Sequence, residues 1–282
     1  MKKVRFIICA VMALMLCACE KERPQRPVLP ETIREDFNTR YPGVKIKEAY
    51  DFTYDQQVLT EVIFTDGNKF ENRAFYEGDL WLMTYKSYDF ESYEDYLPLK
   101  VQVTYKSLNI VNPEFGENDY VIEIDRNGVD QKQFEVRCTR QSRHVVIAED
   151  GTLLANGVFF NTSFYFYDLR EPMAIVRDAY PDSEILGTVN DGGHNLFYIR
   201  DNGILKSVWT RDYWPTVWET RYQISIDTIL PEYVREKMVE FEAAHPQKKF
   251  FALYIVENRD GRFYGLSFGN ERENTTIFVK FE

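Results

Sequence analysis

Four times in this chain a proline opens a short apolar helix pattern, a second proline closes it, and a run of period-two segments follows. This recurrence constrains the fold more than any other feature. In the first occurrence Leu29-Pro30-Glu31 leads into Ile33, Phe37 and Tyr41, spaced i, i+4, i+8 as on one face of an amphipathic helix. Proline suits the first turn, where an N–H has no intrahelical partner, and Glu31 favours the positive end of the helix dipole. Pro42-Gly43 stops the pattern. Beyond it the period changes to two, through Val44 and Ile46, Val58 to Phe64, Phe70 to Tyr76 and Leu80 to Tyr88, with Asp66-Gly67 and Glu77-Gly78 between runs. Alternating runs separated by such turns read as antiparallel hairpins.

The pattern returns at Leu97-Pro98, with Val101, Tyr105 and Leu108 closed by Asn112-Pro113. It returns at Glu171-Pro172, with Val176 and Tyr180 closed by Pro181, and at Leu230-Pro231, with Val234, Met238 and Phe241 closed by Pro246. Asn127-Gly128, Asp150-Gly151, Asn202-Gly203 and Asp260-Gly261 supply the later turns. Pro98 to Pro113 and Pro231 to Pro246 are both fifteen residues apart. One helix with about four strands can bury a face of its own. The expected fold is therefore α+β, four helix-plus-antiparallel-sheet modules (29–96, 97–165, 166–229 and 230–282) arranged as two tandem pairs, 29–165 and 166–282.

Ahead of these modules, Lys2, Lys3 and Arg5 precede an apolar run from Phe6 to Leu16, too short to span a bilayer and suited to a signal-peptide core. Leu16-Cys17-Ala18-Cys19 resembles a bacterial lipobox, which implies removal of residues 1–18 and lipid attachment at Cys19, with Cys17, preceded by Leu16, as the alternative. Residues 19–28 mix charge with proline and read as a tether of at most ~30 Å at ~3.3 Å per residue. The expected location is the outer membrane, as a lipoprotein facing the periplasm or the cell surface. Without its leader the chain has 31 basic and 45 acidic residues, a net charge of −14. That disfavours nucleic acid, whose phosphates require a basic stripe. Cys9 and Cys17 leave with the leader and Cys19 carries lipid, so Cys138 has no intrachain partner and reads as a strand thiol.

Leu-Pro-Glu, an apolar helix, Tyr-Pro and an antiparallel meander with Asp-Gly turns resemble the PepSY-like lipoproteins of Bacteroidota, which are similar in fold to the beta-lactamase inhibitory protein. Leu29-Pro30, Tyr41-Pro42, Asp66-Gly67 and Gly78 carry the resemblance in the first module. Leu230-Pro231, His245-Pro246 and Asp260-Gly261 carry it in the last. It implies tandem helix-plus-sheet domains and an inhibitor-like, protein- or peptide-binding role without enzymatic activity. The chain departs from it in a second helix rich in β-branched residues and in lacking the inhibitor's disulfides.

No reaction centre is legible. His144, His194 and His245 stand at no metal-ligand spacing and have no cysteine beside them, so neither a metal nor a cofactor is expected. Cys138 and Ser163 lack the glycine context of a nucleophile elbow. Asp125 to Asp130 alternates acids with a glycine like a calcium loop, but the twelfth position is Val136 instead of glutamate. Asp227-Thr228-Ile229, Asn161-Thr162-Ser163 and Asn274-Thr275-Thr276 resemble glycosylation triplets. Two aromatic connectors are the candidate binding residues: Tyr88, Phe90 and Tyr93 between the first two modules, and Trp209, Tyr213, Trp214 and Trp218 between the last two. They would either anchor an envelope protein or peptide, or stack on a glycan, the alternative partner, or else pack the modules together.

Overall fold

The computed structural model describes residues 29–54, 56–67, 70–89, 96–111, 120–138, 143–158, 168–191, 194–211, 217–270 and 273–282. The expected signal peptide, Cys19 and the expected tether lie outside the described residues. In chain order the elements are α1 (Glu31–Arg40), β1 (Lys45–Tyr54), β2 (Gln57–Thr65), β3 (Asn72–Glu77), β4 (Leu80–Asp89), α2 (Leu99–Val111), β5 (Tyr120–Arg126), β6 (Gln133–Cys138), β7 (Arg143–Ala148) and β8 (Leu153–Val158). They continue through α3 (Arg170–Ala179), β9 (Glu184–Asp191), β10 (His194–Asp201), β11 (Ile204–Arg211), β12 (Val217–Ile224), α4 (Glu232–Ala244), β13 (Lys249–Asn258), β14 (Gly261–Gly269) and β15 (Asn274–Lys280).

The strands form two antiparallel sheets, one of eight in the order β1 to β8 and one of seven in the order β15-β14-β13-β12-β11-β10-β9. This overturns the expected α+β fold of four helix-plus-antiparallel-sheet modules in two tandem pairs. The protein is mostly β, with four short helices of 10 to 13 residues among the described residues. The reason lies at the ends of the strand runs. β4 pairs with β5 from Met83↔Arg126 to Asp89↔Tyr120, and β12 pairs with β13 from Glu219↔Asn258 to Ile224↔Leu253. The first run is thus hydrogen-bonded edge to edge with the second, and the third with the fourth. Side-chain period reveals a strand but not what its unpaired edge will meet.

Two compact units divide within β4, at Leu82 and Met83. In the first, α1 lays Ile33 and Phe37 against Val62, Phe64, Ala74 and Tyr76. Phe37 is fully buried, a contribution of about 1.5–3 kcal/mol relative to an exposed ring. Pro30 is the N-cap, with φ −51°, and its carbonyl accepts from the Arg34 N–H at 3.0 Å. At the other end of the helix the Arg40 guanidinium lies 4.0 Å over the Trp81 ring.

In the second unit α2 presents Val101 and Tyr105 to Val121, Phe134, Val136, Val145 and Ile147. α3 covers Ile185, Phe197, Ile199 and Val208 with Met173 and Val176, and α4 covers Leu253, Leu266 and Phe268 with Val234. Period two places a second apolar set on the back of these strands. Val146, Ala148 and Leu154 of the first sheet meet Leu186, Leu196 and Tyr198 of the second. Gly187 sits in this seam, where a Cβ would stand 2.6 Å from Leu154 Cδ1 and 3.0 Å from Gln133 Oε1, so any larger residue must displace these side-chain ends. Arg200 ties the seam's rim, donating to Asp150, Glu184 and Thr152 at 2.6, 2.6 and 2.8 Å. Although partial burial acts against it, hydrogen bonds from Thr152 and the Arg200 guanidinium hold the Asp150 carboxyl down at about 2.

Candidate functional site

Two surfaces of the seven-stranded sheet remain after the cores are accounted for, one on each face. On the helix-bearing face, strand register aligns Thr210 with Trp218, Val208 with Thr220, and Thr220 in turn with Glu257. Trp218 packs edge-on against Tyr180, ring centroids 6.1 Å apart at 78°. The Tyr180 hydroxyl donates to Glu257 Oε2 at 2.8 Å and accepts from Thr220 Oγ1 at 2.8 Å. Beneath it the buried Lys206 ammonium lies 4.8 Å from the Tyr180 ring and 5.0 Å from the Tyr222 ring, bonded to Asp201 at 2.8 Å. Arg262 closes the network on Tyr222 Oη at 2.7 Å and Glu257 Oε1 at 3.2 Å. Burial, reinforced by the Glu257 charge, pushes the Tyr180 hydroxyl well above the usual phenol range. This paired cation and its carboxylates hold the floor in place.

Above that floor lies an open depression of about 450 Å³. Glu171, Ile175 and Asp178 line it from the outer face of α3, and Trp218 and Arg259 from the opposite side. It offers an aromatic ring, one guanidinium and two carboxylates, suited to stacking on and hydrogen-bonding a polar ring.

The other face opens toward β15: Ala252, Val256, Gly265 and Ser267 are buried on it, whereas Thr276, Phe278 and Lys280 of β15 are exposed. Register stacks three rows across these strands: Ala252, Ser267 and Thr276; Tyr254, Gly265 and Phe278; Val256, Phe263 and Lys280. Phe251, at a bulge, lays its ring over Gly269, where a Cβ would come within 3.0 Å of it. Phe251 is 48% exposed and Phe278 50% exposed. Lys249 and Lys280 flank these rings, both exposed, with Lys280 Nζ 5.9 Å from the Phe263 ring.

Of the connector aromatics, Tyr88 is core: it is 5% exposed, donates to Glu123 Oε2 at 2.8 Å and stacks on Tyr96 at 4.7 Å. Trp209 packs into the seam between the sheets, while Trp218 faces α3. Because Trp209 is opposite Glu219 and Trp218 is opposite Thr210, these two indoles point to opposite faces and are not brought together. Phe90, Tyr93, Tyr213 and Trp214 lie outside the described residues. The sequence reading missed Phe251, Tyr254, Phe263 and Phe278. Their signal was present in Phe250 to Val256, a strand apolar on both parities, which no single covering helix would satisfy.

His245 ends α4 with its ring stacked on Phe241 at 4.2 Å and Nδ1 3.1 Å from the Phe241 carbonyl. Among the described residues no three His, Cys, Asp or Glu side chains gather as a metal site.

No family model matches the sequence, and a comparison with curated proteins finds no relative. Among solved structures, one from Bacteroides eggerthii DSM 20697, described as a candidate periplasmic protein, is similar at 14% identity. The match covers 45% of this chain and 87% of that one, with a TM-score of 0.33. A DUF2874 family protein from Bacteroides uniformis ATCC 8492 is similar at 13% identity, over 46% of this chain and 89% of that one, with a TM-score of 0.34. Likeness at this level fixes neither the fold nor the family. Among the described residues no helix is long and apolar enough to cross a membrane.

Proposed function

We propose that this chain is a lipid-anchored, non-enzymatic envelope protein that binds a partner protein through the open face of β13 to β15. One observation carries the reading: Phe251, at the bulge of β13, and Phe278, in register with Tyr254, stand half-exposed on one face of the sheet, and no described element covers these two rings. Exposed aromatics gathered on a rigid sheet are the usual anchors of protein interfaces. Lys249 and Lys280 beside them, on a chain of net charge −11, favour a partner with an acidic patch. The lipobox-like segment ending at Cys19 supports anchoring at the outer membrane, and the Leu-Pro and Asp-Gly motifs support a PepSY-like, inhibitor-like relationship.

The test is affinity selection from envelope extract with the wild type and with Phe251→Ser/Phe278→Ser, followed by titration of the recovered partner. The variant should stay folded by circular dichroism and lose at least about tenfold in affinity, the loss of a single hot-spot ring. Equal binding by both proteins would sink the reading. Labelled palmitate should enter the wild type and not Cys19→Ala. A second reading, glycan binding, is favoured by the depression at Trp218. Loss of signal on a glycan array in Trp218→Ala, with the open face intact, would support it.

A further inference from the structure

The two edges of the seven-stranded sheet are treated differently. At the β9 edge, groups preceding and opening β6 occupy the outward backbone. The Ile185 N–H donates to Asp130 Oδ2 at 2.6 Å, the Asp130 N–H to the Ile185 carbonyl at 2.9 Å, and the Thr188 N–H to Gln133 Oε1 at 2.8 Å. Such cover blunts an edge against added strands. At the β15 edge no strand or side-chain cap follows among the described residues. Asn274–Lys280 has no proline, alternates exposed with half-buried residues, and pairs with β14 over seven residues without a register shift.

One hydrogen bond fixes which way its backbone faces. The Phe281 N–H donates to the Arg262 carbonyl at 2.9 Å, one residue beyond the Phe263↔Lys280 pair. In an antiparallel ladder, residues bonded to the neighbour alternate with residues whose N–H and C=O point away. Val279, Ile277 and Thr275 therefore face β14, and Lys280, Phe278, Thr276 and Asn274 present their backbone groups outward.

We propose that β15 of one molecule pairs antiparallel with β15 of a second copy about a two-fold axis at Ile277, joining the two seven-stranded sheets. This register matches every outward residue with an outward residue: Asn274 with the partner's Lys280, Thr276 with the partner's Phe278, and the reciprocal pairs. Shifting by two residues in either direction loses one of the four pairs. A shift by one sets outward residues against inward ones and turns the open face against the helix-bearing face. Charge permits the match, since Lys280, the only charged residue in the strand, meets asparagine instead of a second lysine. The two Phe278 rings become diagonal neighbours, within aromatic reach across one strand spacing, and so join the two aromatic patches into one without burying either. The contact is smaller than a standard interface, so the dimer is concentration-dependent. It also sets the two open aromatic faces side by side on one surface, whatever they bind.

Sedimentation velocity on the purified protein, from micromolar to submillimolar concentration, should show a monomer–dimer equilibrium. Thr276→Pro removes an outward N–H and the Thr276 hydroxyl contact with Ser267 Oγ but no backbone hydrogen bond to β14, and should raise the dissociation constant at least about tenfold. Under oxidation, Ile277→Cys should cross-link to itself, because the two positions oppose each other in a non-hydrogen-bonded pair about 4.5 Å apart, within disulfide reach. Thr275→Cys should not, because its copy lies four residues along the strand, about 13 Å away. A wild type that stays monomeric throughout, or a dimer unmoved by Thr276→Pro, would overturn the proposal. If Thr276→Pro does not fold, the cysteine pair decides: equal cross-linking at positions 275 and 277 would overturn it too.

Discussion

Replacing Asp130 by alanine isolates what the polar cap on β9 contributes. Asp130 Oδ2 accepts the Ile185 N–H at 2.6 Å and an Arg177 Nη2 hydrogen at 2.7 Å. A backbone donor bonded to a carboxylate contributes roughly 1.5–3 kcal/mol, and its removal leaves that donor facing the packed seam. The Arg177 pair, with side chains 34% and 42% exposed, adds about 0–1 kcal/mol, because solvent screens it and Arg177 keeps its bonds to the Gly128 and Ser183 carbonyls. Asp130→Ala should therefore lose about 2–3 kcal/mol in urea unfolding at neutral pH, or about 5–10 °C in melting temperature for a unit of this size. Asp130→Asn retains an acceptor oxygen and should lose about half as much. A loss below about 0.5 kcal/mol, the range of an ordinary surface change, would refute the cap. So would an Asn variant as damaged as the Ala variant. Light scattering on the same samples should show Asp130→Ala alone gaining association that Thr276→Pro does not suppress, since it exposes the opposite edge.

Gly187→Ala pushes a methyl into the Leu154 and Gln133 contacts and should cost about 1–3 kcal/mol, read by the same urea titration. Asp150 is an acid whose folded pKa is depressed to about 2 from the ordinary aspartate value of 3.8, so its contribution is present above the unfolded value and is lost as pH falls through that window. Asp150→Asn should be less stable than wild type at pH 6 and should flatten the stability curve between pH 4 and pH 2, checked by urea midpoints across that range. Lys206→Met removes the cation between Tyr180 and Tyr222 and leaves Asp201 with the Asn202 amide in place of a charged partner. About 2–4 kcal/mol should be lost, below the upper range for a broken buried pair because Glu257 keeps Arg262 and Tyr180 as partners. A thermal melt measures it.

Much of the local structure was legible because it rests on short-range chemistry. Ile33 and Phe37, Val101 and Tyr105, and Val234 with Phe241 fell on helix faces by spacing alone, and each does face a core. Asn202 and Gly203 take φ of 49° and 78°, the pair of positive angles that an Asn-Gly hairpin predicts. What the sequence could not specify was which edge meets which. Nothing in Asp89 or Tyr120 announces that β4 pairs with β5, and that pairing is what replaces separate modules with one sheet of eight strands.

The aromatic connector shows the same boundary at the level of single residues. Trp209 and Trp218 lie on adjacent strands, and whether they form one platform depends on parity across the intervening hairpin. With Arg211 opposite Val217, facing residues sum to 428, an even number, whereas Trp209 and Trp218 sum to 427. The two indoles must point to opposite faces, and one residue more or less in the connector would have placed them together. Trp209 is therefore committed to the seam with Leu154, Leu186 and Leu196, and Trp218 is left to the depression beside α3. A Trp209→Ala variant should lose stability and leave ligand binding intact, because its ring fills the space between sheets; Trp218→Ala should do the reverse. Urea unfolding and binding titrations on the two variants separate the roles. A ligand lost equally in both would mean that the hairpin register itself is wrong.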